Sequence, residues 1–110
     1  MIKIEYTPKA LDDLRYLQVY LSADRGENTA NKIVKKITSE IRRLEIYPFS
    51  GVNLGKTINV TTDYRYIFSE KNYVFYRLEF NKILIIRVIN ERQDYLKQMF
   101  GVSVDREETD

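Results

Sequence analysis

The chain has 110 residues and contains 18 Lys and Arg, 16 Asp and Glu, and neither Cys nor His. This length predicts one domain, residues 1–100, followed by residues 101–110, an acidic tail that we expect to be flexible. The lack of Cys and His excludes a Cys/His zinc site and any nucleophile activated by histidine. No apolar run could cross a bilayer, and the N-terminus lacks the apolar core of a secretory signal, so we expect a cytoplasmic protein.

The sequence begins with a predicted strand and a predicted helix. Residues 2–6 alternate between apolar and polar side chains, which is typical of a short strand. Thr7 and Pro8 then suit the cap and the first position of a helix. Leucines recur at helical spacing over residues 8–22, so we predict an amphipathic helix there.

A second amphipathic helix is predicted over residues 27–46, with Pro48 as its stop signal. The short link 23–26 makes the two helices antiparallel neighbours. The side of the second helix opposite its apolar stripe is basic and suits an acidic protein partner, although a solvated surface has the same pattern. The cations of this basic face are Lys32, Lys35, Lys36, Arg42 and Arg43.

The second half of the sequence predicts a sheet. A loop rich in Gly, Pro and Ser covers residues 47–57, and a tight turn is predicted at Phe80-Asn81. Residues 91–100 could form a short terminal helix. The predicted strands cover 58–60 together with 63–69, then 73–79 and 82–89. The order β-α-α-β-β-β predicts an α+β fold, in which an N-terminal strand precedes a helical hairpin packed on a small, largely antiparallel sheet.

Arginines interrupt the apolar strands of the last hairpin. Arg77 lies in its first strand and Arg87 in its second, and Arg92 and Tyr95 follow directly. An arginine within a strand must reach water, a counter-ion or a ligand, so this hairpin is the candidate functional region. Arg77 could simply pair with Glu79, whereas the strand of Arg87 supplies no acid.

The register of the hairpin decides which side each arginine occupies. With a two-residue turn, Arg87 would lie opposite Val74 and on the other side from Arg77, while a one-residue change would bring both to the same side. Arg65 lies between Tyr64 and Tyr66, a pattern that suits either nucleic-acid stacking or a half-buried strand.

Several motifs, taken in order, resemble the RelE/ParE superfamily, the toxins of type II toxin–antitoxin systems, also called plasmid stabilization systems. They are YTPKALDDLRYLQVYL in the first helix, RRLEIYPFSG at the end of the second, and NYVFYRLE with ILIIRVINERQDYL in the hairpin. The resemblance covers residues 2 to about 97. It implies the α+β fold above, no cofactor, and a small, acidic cognate antitoxin as partner.

The superfamily has two branches with different targets. RelE-like members resemble ribosome-dependent mRNA endoribonucleases, whereas ParE-like members inhibit DNA gyrase. In this chain Tyr73 and Gln93 stand where the RelE-like pattern has arginines. The ParE-like pattern instead matches Arg77, Arg87 and Arg92, which become the candidate target-binding residues. The resemblance therefore favours a ParE-like toxin that inhibits gyrase, and hence growth, through protein–protein contact.

Two alternatives remain open. As an endoribonuclease acting on mRNA at the ribosome, the chain would need arginines that stabilise a phosphate and a tyrosine that moves protons. The catalytic candidates under this alternative are Arg65, Arg87, Arg92 and Tyr95. The second alternative is a non-catalytic protein-interaction module.

Overall fold

The computed structural model of the chain describes residues 2–101. Its elements are β1 (Lys3–Tyr6), α1 (Pro8–Arg25), α2 (Glu27–Arg42), β2 (Val52–Asn53), β3 (Arg65–Ser69), β4 (Asn72–Glu79), β5 (Lys82–Asn90) and α3 (Tyr95–Phe100). The predicted α+β fold is confirmed, including its short terminal helix. The tail predicted for residues 101–110 lies outside the described residues from 102 onward. Within residues 2–101, no helix combines the length and apolar character that crossing a membrane requires.

The sheet places the last hairpin at its centre. Its strand order is β1-β5-β4-β3-β2, with β1 parallel to β5 and the other neighbours antiparallel. The helical hairpin covers one face, where Tyr76 and Ile85 are fully buried. The other face packs Phe75 and Ile89 against α3. Alternate residues of β4 therefore belong to different cores.

The helical hairpin differs from its prediction at both ends. α1 continues to Arg25, past the predicted end at residue 22, because Gly26 alone reverses the chain with a φ of 94°. α2 stops at Arg42 rather than at residue 46, and a single 3-10 turn, Arg43–Glu45, leads to the loop that contains Pro48. This tighter turn ends the helix before the proline is reached.

The first predicted strand of the second half is shorter than expected. Residues 58–60 are not part of a strand, and β3 begins only at Arg65. The two-residue strand β2 instead forms inside the predicted loop and pairs with the start of β3. Leu54 is fully buried in the core beneath α3, and Ile58 packs against the same cluster. The chain therefore turns inward to bury these side chains instead of extending along the sheet.

A β-bulge changes the register that the sequence predicted for the last hairpin. The turn does contain two residues, since Glu79 pairs with Lys82. Ile85 pairs with Tyr76, but the next pair joins Arg87 to Phe75, which leaves Ile86 as an extra residue. The expectation that Arg87 faces Val74 is therefore wrong. Because Phe75 and Arg77 lie on the same side of β4, the bulge brings both arginines to that side of the hairpin.

Candidate functional site

Arg87 is held in a bidentate ion pair where α1, β5 and α3 meet. Its Nε and Nη2 donate to the two carboxylate oxygens of Asp13 at 2.7 and 3.0 Å, and Nη2 also donates to Gln98 Oε1 at 3.1 Å. Asp13 Oδ2 accepts a further bond from the backbone N–H of Val88 at 2.9 Å. The side chains of Arg87 and Asp13 are only 14% and 15% exposed. The counter-ion that β5 lacks is therefore supplied by α1, and this pair joins the helix to the sheet.

Arg77 and Arg92 are more accessible than Arg87. The Nη2 of Arg77 donates to Asp63 Oδ2 at 3.0 Å, its Nε lies 3.8 Å from Glu79 Oε2, and its side chain is 39% exposed. Pairing with Glu79, which the sequence allowed, is thus accompanied by a closer contact with Asp63. Arg92 is exposed in the turn between β5 and α3, where its backbone N–H donates to Asn90 Oδ1 at 2.9 Å.

Arg65 holds the loop that precedes β2. Its Nη1 donates to the carbonyl oxygen of Gly51 at 2.8 Å and approaches that of Phe49 at 3.5 Å. The guanidinium carbon lies 5.2 Å from the centroid of the Phe49 ring, within the range of a cation–π contact. Arg65 therefore fixes the chain that leads into β2.

Tyr76 fixes the same loop from inside the core. Its fully buried hydroxyl donates to the carbonyl oxygen of Pro48 at 2.9 Å and accepts from the N–H of Gly51 at 3.0 Å. Burial raises the pKa of Tyr76, although the bond from Gly51 and the charge of Arg65 act in the opposite direction. A Cβ on Gly51 would lie 2.5 Å from the Tyr76 hydroxyl and 2.8 Å from the carbonyl oxygen of Tyr66. The hydroxyl and the backbone can approach this closely because residue 51 has no side chain.

The outer side of this loop is apolar. We call residues 46–52 the anchor loop, because four of its large apolar side chains are exposed although its backbone is held in place. They are Ile46, Tyr47, Phe49 and Val52, with exposures of 71%, 56%, 69% and 47%. An open groove of about 400 Å³ lies beside the loop, between the end of α2 and β3. The groove is lined by Glu40, Arg43, Leu44, Tyr47, Ser50 and Ile67.

The basic face of α2 leads directly to this groove. All five cations predicted for it are exposed, although Arg43 lies in the 3-10 turn that directly follows α2, where it also lines the groove. Lys36 Nζ lies 3.2 Å from Glu70 Oε2, in the turn that joins β3 to β4. Arg43 therefore connects the basic face to the groove, whose lining combines charged and polar side chains with apolar ones. The sequence predicted the basic face but not the groove. Of the large apolar residues in the predicted loop 47–57, only Tyr47 lines it.

Tyr95 belongs to an aromatic cluster between the sheet and α3. Its ring centroid lies 5.1 Å from those of both Tyr73 and Phe75, and Tyr73 in turn lies 5.3 Å from Tyr66. Burial raises the pKa of Tyr95, and Tyr73, Tyr66 and Asp94 raise it further. The phenol is therefore protonated at neutral pH and is a poor base.

Three of the four catalytic candidates are engaged by different partners, and the fourth, Arg92, is exposed. Arg65 binds loop carbonyls, Arg87 binds a carboxylate of α1, and Tyr95 packs among aromatic rings. Within residues 2–101, no group of three acidic side chains could hold a metal ion. Asp13, which sequence analysis missed, is the acid that explains Arg87, and its position beside the apolar stripe of α1 was the one available signal.

Comparison with known proteins identifies the family. The family model described as the ParE toxin of the type II toxin–antitoxin system parDE matches residues 4–95. The chain belongs to the ParE toxin family. It is thus the toxin of a type II toxin–antitoxin system, with an antitoxin as partner. The predicted superfamily and branch are confirmed.

A solved structure supports the fold of this ParE-family chain. The chromosomal ParDE toxin–antitoxin system from P. aeruginosa contains a chain that is 20% identical, with a TM-score of 0.69. The match covers 82% of this chain and 96% of that chain. No curated protein matches the sequence. At 20% identity the structural likeness concerns the fold alone.

Proposed function

We propose that this ParE-family toxin inhibits bacterial growth by binding DNA gyrase in the cytoplasm, and that its antitoxin binds the basic face of α2. Membership of the ParE family over residues 4–95 is the observation that carries this proposal. The toxin then acts by contact between proteins, so its surface rather than a catalytic centre determines its activity.

The environments of the arginines support binding over RNA cleavage. Metal-independent cleavage needs cations that can contact a phosphate as it gains charge, and a group that can move a proton. Arg87 is already neutralised by Asp13, and Arg65 is bound to the anchor loop. The raised pKa of Tyr95 keeps its phenol protonated at neutral pH, so less phenolate is present that could take up a proton.

The two ends of the last hairpin offer accessible cations for a protein target: Arg77 is close to the β4–β5 turn, whereas Arg92 follows β5 at the opposite end. Arg77 and Arg92 are the target contacts that we propose, since both reach solvent. Arg87 lies between these two cations along the hairpin and is neutralised by Asp13, so we assign it a positioning role. Because exposed ion pairs are individually weak, we expect each of the two contacts to modulate gyrase affinity rather than abolish it alone.

A supercoiling assay with purified gyrase tests the proposal. The wild-type chain should inhibit supercoiling, and the double variant Arg77→Ala/Arg92→Ala should need about tenfold more protein, as expected for a loss of roughly 1.4 kcal/mol of binding. Arg15→Ala is the matched control, because Arg15 is an exposed arginine on α1 that is paired with Asp12.

Two results would contradict the gyrase proposal. One is normal supercoiling at any concentration of wild-type chain. The other is an arrest of translation with cut mRNA when the chain is induced without antitoxin, which would favour the endoribonuclease.

A further inference from the structure

The β3–β4 turn holds two residues in a backbone conformation that neither favours. Ser69 pairs with Asn72, so Glu70 and Lys71 alone form the turn, with φ values of 50° and 66°. Two-residue turns with positive φ at both positions normally contain asparagine and glycine, because a larger side chain is strained there. Strain of this kind persists only where the surrounding structure enforces it, and it concentrates at functional sites. The turn therefore lowers the stability of the chain, so folding alone does not explain its residues.

Two hydrogen bonds enforce this conformation. The side-chain amide of Asn72, which is 3% exposed, donates to the Glu70 carbonyl oxygen at 2.8 Å. The backbone N–H of Glu91 donates to the Lys71 carbonyl oxygen at 2.9 Å. Because Glu91 directly precedes Arg92, the second bond also holds the turn between β5 and α3 against the β3–β4 turn. The two turns therefore form one ordered end of the sheet.

Two cations at this end of the sheet are available to a partner. Lys71 and Arg92 are exposed, and within residues 2–101 neither has a carboxylate at ion-pair distance. Both can therefore bind a carboxylate of another protein without giving up an existing partner. Glu91 and Asp94 lie in the same turn as Arg92, so this end carries charges of both signs. Such a mixture suits a protein surface better than the phosphates of a nucleic acid, which require an excess of cations.

An aromatic pair next to these cations offers contact area. Phe68 pairs with Tyr73 directly before the turn, and their ring centroids lie 5.0 Å apart. Phe68 nevertheless remains 49% exposed, on the face of the sheet opposite the helical hairpin. Aromatic side chains and arginines contribute most of the binding energy in typical protein interfaces. Phe68 and Arg92 therefore provide the side-chain types that such an interface needs.

We propose that DNA gyrase binds this end of the sheet through Phe68, Lys71 and Arg92, and that the strained turn persists because it holds Lys71 in its binding position. This inference rests on the proposed function, because it says where on the chain the target binds. A contact surface that is already ordered loses less conformational entropy on association. Arg77, near the other end of the hairpin, is already paired with acids, so we expect it to contribute less.

Lys71→Gly tests the proposal, because it should change stability and activity in opposite directions. Glycine adopts a positive φ without strain, so the midpoint of thermal unfolding should rise by about 4 °C. Loss of the ammonium group should raise the concentration that inhibits supercoiling by gyrase about fivefold, as expected for one exposed ion pair. Lys71→Arg, which keeps the charge and the strain, should match the wild type in both measurements. Asn81→Gly is the control, since Asn81 has a φ of 61° in the β4–β5 turn, and it should inhibit supercoiling like the wild type.

Two aromatic substitutions compare the ends of the last hairpin. Phe68→Ala should need about tenfold more protein to inhibit supercoiling, as expected for a side chain buried in an interface. Phe80→Ala should inhibit like the wild type, although Phe80 is 93% exposed in the β4–β5 turn. Thermal unfolding followed by circular dichroism reports whether each variant is folded. If Phe68→Ala does not fold, the comparison of Lys71→Gly with Lys71→Arg decides the question.

Three outcomes would contradict these expectations. A Lys71→Gly chain that is stabilised and still inhibits supercoiling like the wild type would overturn the inference and leave the proposed function intact. A larger loss of inhibition in Phe80→Ala than in Phe68→Ala would also overturn it and assign the contact to the β4–β5 turn. A wild-type chain that leaves supercoiling normal would overturn the proposed function itself.

Discussion

Arg65 and Arg87 both lie on strands of one sheet, yet the structure uses them in opposite ways. The guanidinium of Arg87 is neutralised by the carboxylate of Asp13, and both side chains are nearly buried. That of Arg65 binds two neutral carbonyl oxygens and stacks on Phe49 at the surface. The first arginine joins two layers of the fold, and the second orders a loop that faces outward.

The difference between these regions teaches how to interpret a charge within an apolar strand. At the Arg87 junction, each polar group satisfies another polar group of the frame, so a partner has little to gain there. At the anchor loop, backbone polar groups form hydrogen bonds beneath the surface, whereas apolar side chains remain exposed to solvent. A neutralised arginine such as Arg87 therefore does not indicate a binding surface, whereas apolar side chains left exposed together are typical of one.

The largest effect is expected from a substitution that breaks the ion pair between Arg87 and Asp13. Asp13→Ala leaves Arg87 without its counter-ion and removes the acceptor of the Val88 N–H. Because losing one partner of a largely buried pair is costly, the free energy of unfolding should fall by about 3 kcal/mol. Denaturant unfolding followed by circular dichroism measures this change.

The neighbouring acid provides the control for that prediction. Asp12→Ala removes the partner of Arg15, but Asp12 and Arg15 are 68% and 73% exposed. The free energy of unfolding should change by less than about 0.5 kcal/mol. Equal effects of the two substitutions would show that the junction does not stabilise the fold as its burial suggests.

A smaller effect is expected at the anchor loop. Tyr76→Phe removes the hydroxyl that binds Pro48 and Gly51, which should lower the free energy of unfolding by about 1–2 kcal/mol. The Gly51 amide should also exchange its hydrogen faster through local opening, whereas amides in the middle of β5 should lose only the protection that corresponds to the drop in unfolding free energy. Tyr16→Phe is the control, since Tyr16 is 70% exposed on α1. Unchanged exchange at Gly51 would mean that the hydroxyl does not order the loop.

The sequence predicted the helices and strands better than it predicted the contacts at the Arg87–Asp13 pair and at the anchor loop. Periodicity and the Thr7-Pro8 start revealed the helices, because local spacing determines them. The bulge at Ile86 was not predictable, since residues 83–86 are all apolar and their register cannot be inferred from alternation.

Contacts between distant residues explain the remaining errors in the candidate site. Asp13 and Arg87 are 74 positions apart, and Tyr76 and Gly51 are 25 apart, so no local pattern joins them. The basic face of α2 was predictable because four of its five cations share one helix and Arg43 follows that helix directly. The anchor loop was missed because its apolar residues are recognised as exposed only once the core is known.

The smallest effect is expected from the ionisation of Tyr76 and Tyr95, which changes the unfolding free energy as the pH is raised. The pKa values of Tyr76 in the loop junction and Tyr95 in the aromatic cluster are both raised, mainly by burial. The folded state then holds these protons more tightly than the unfolded state, so their contribution to stability is fully present below the ordinary tyrosine pKa of about 10. It should be lost as the pH rises from there through the pKa values of the folded protein. Phenolate absorbance recorded against pH should show that Tyr95→Phe removes one late-titrating group. Denaturant unfolding measured at each pH should show a shallower decline in the unfolding free energy of that variant. Loss of a group that titrates near the ordinary value of about 10, instead of a late one, would mean that Tyr95 ionises like a solvent-exposed tyrosine.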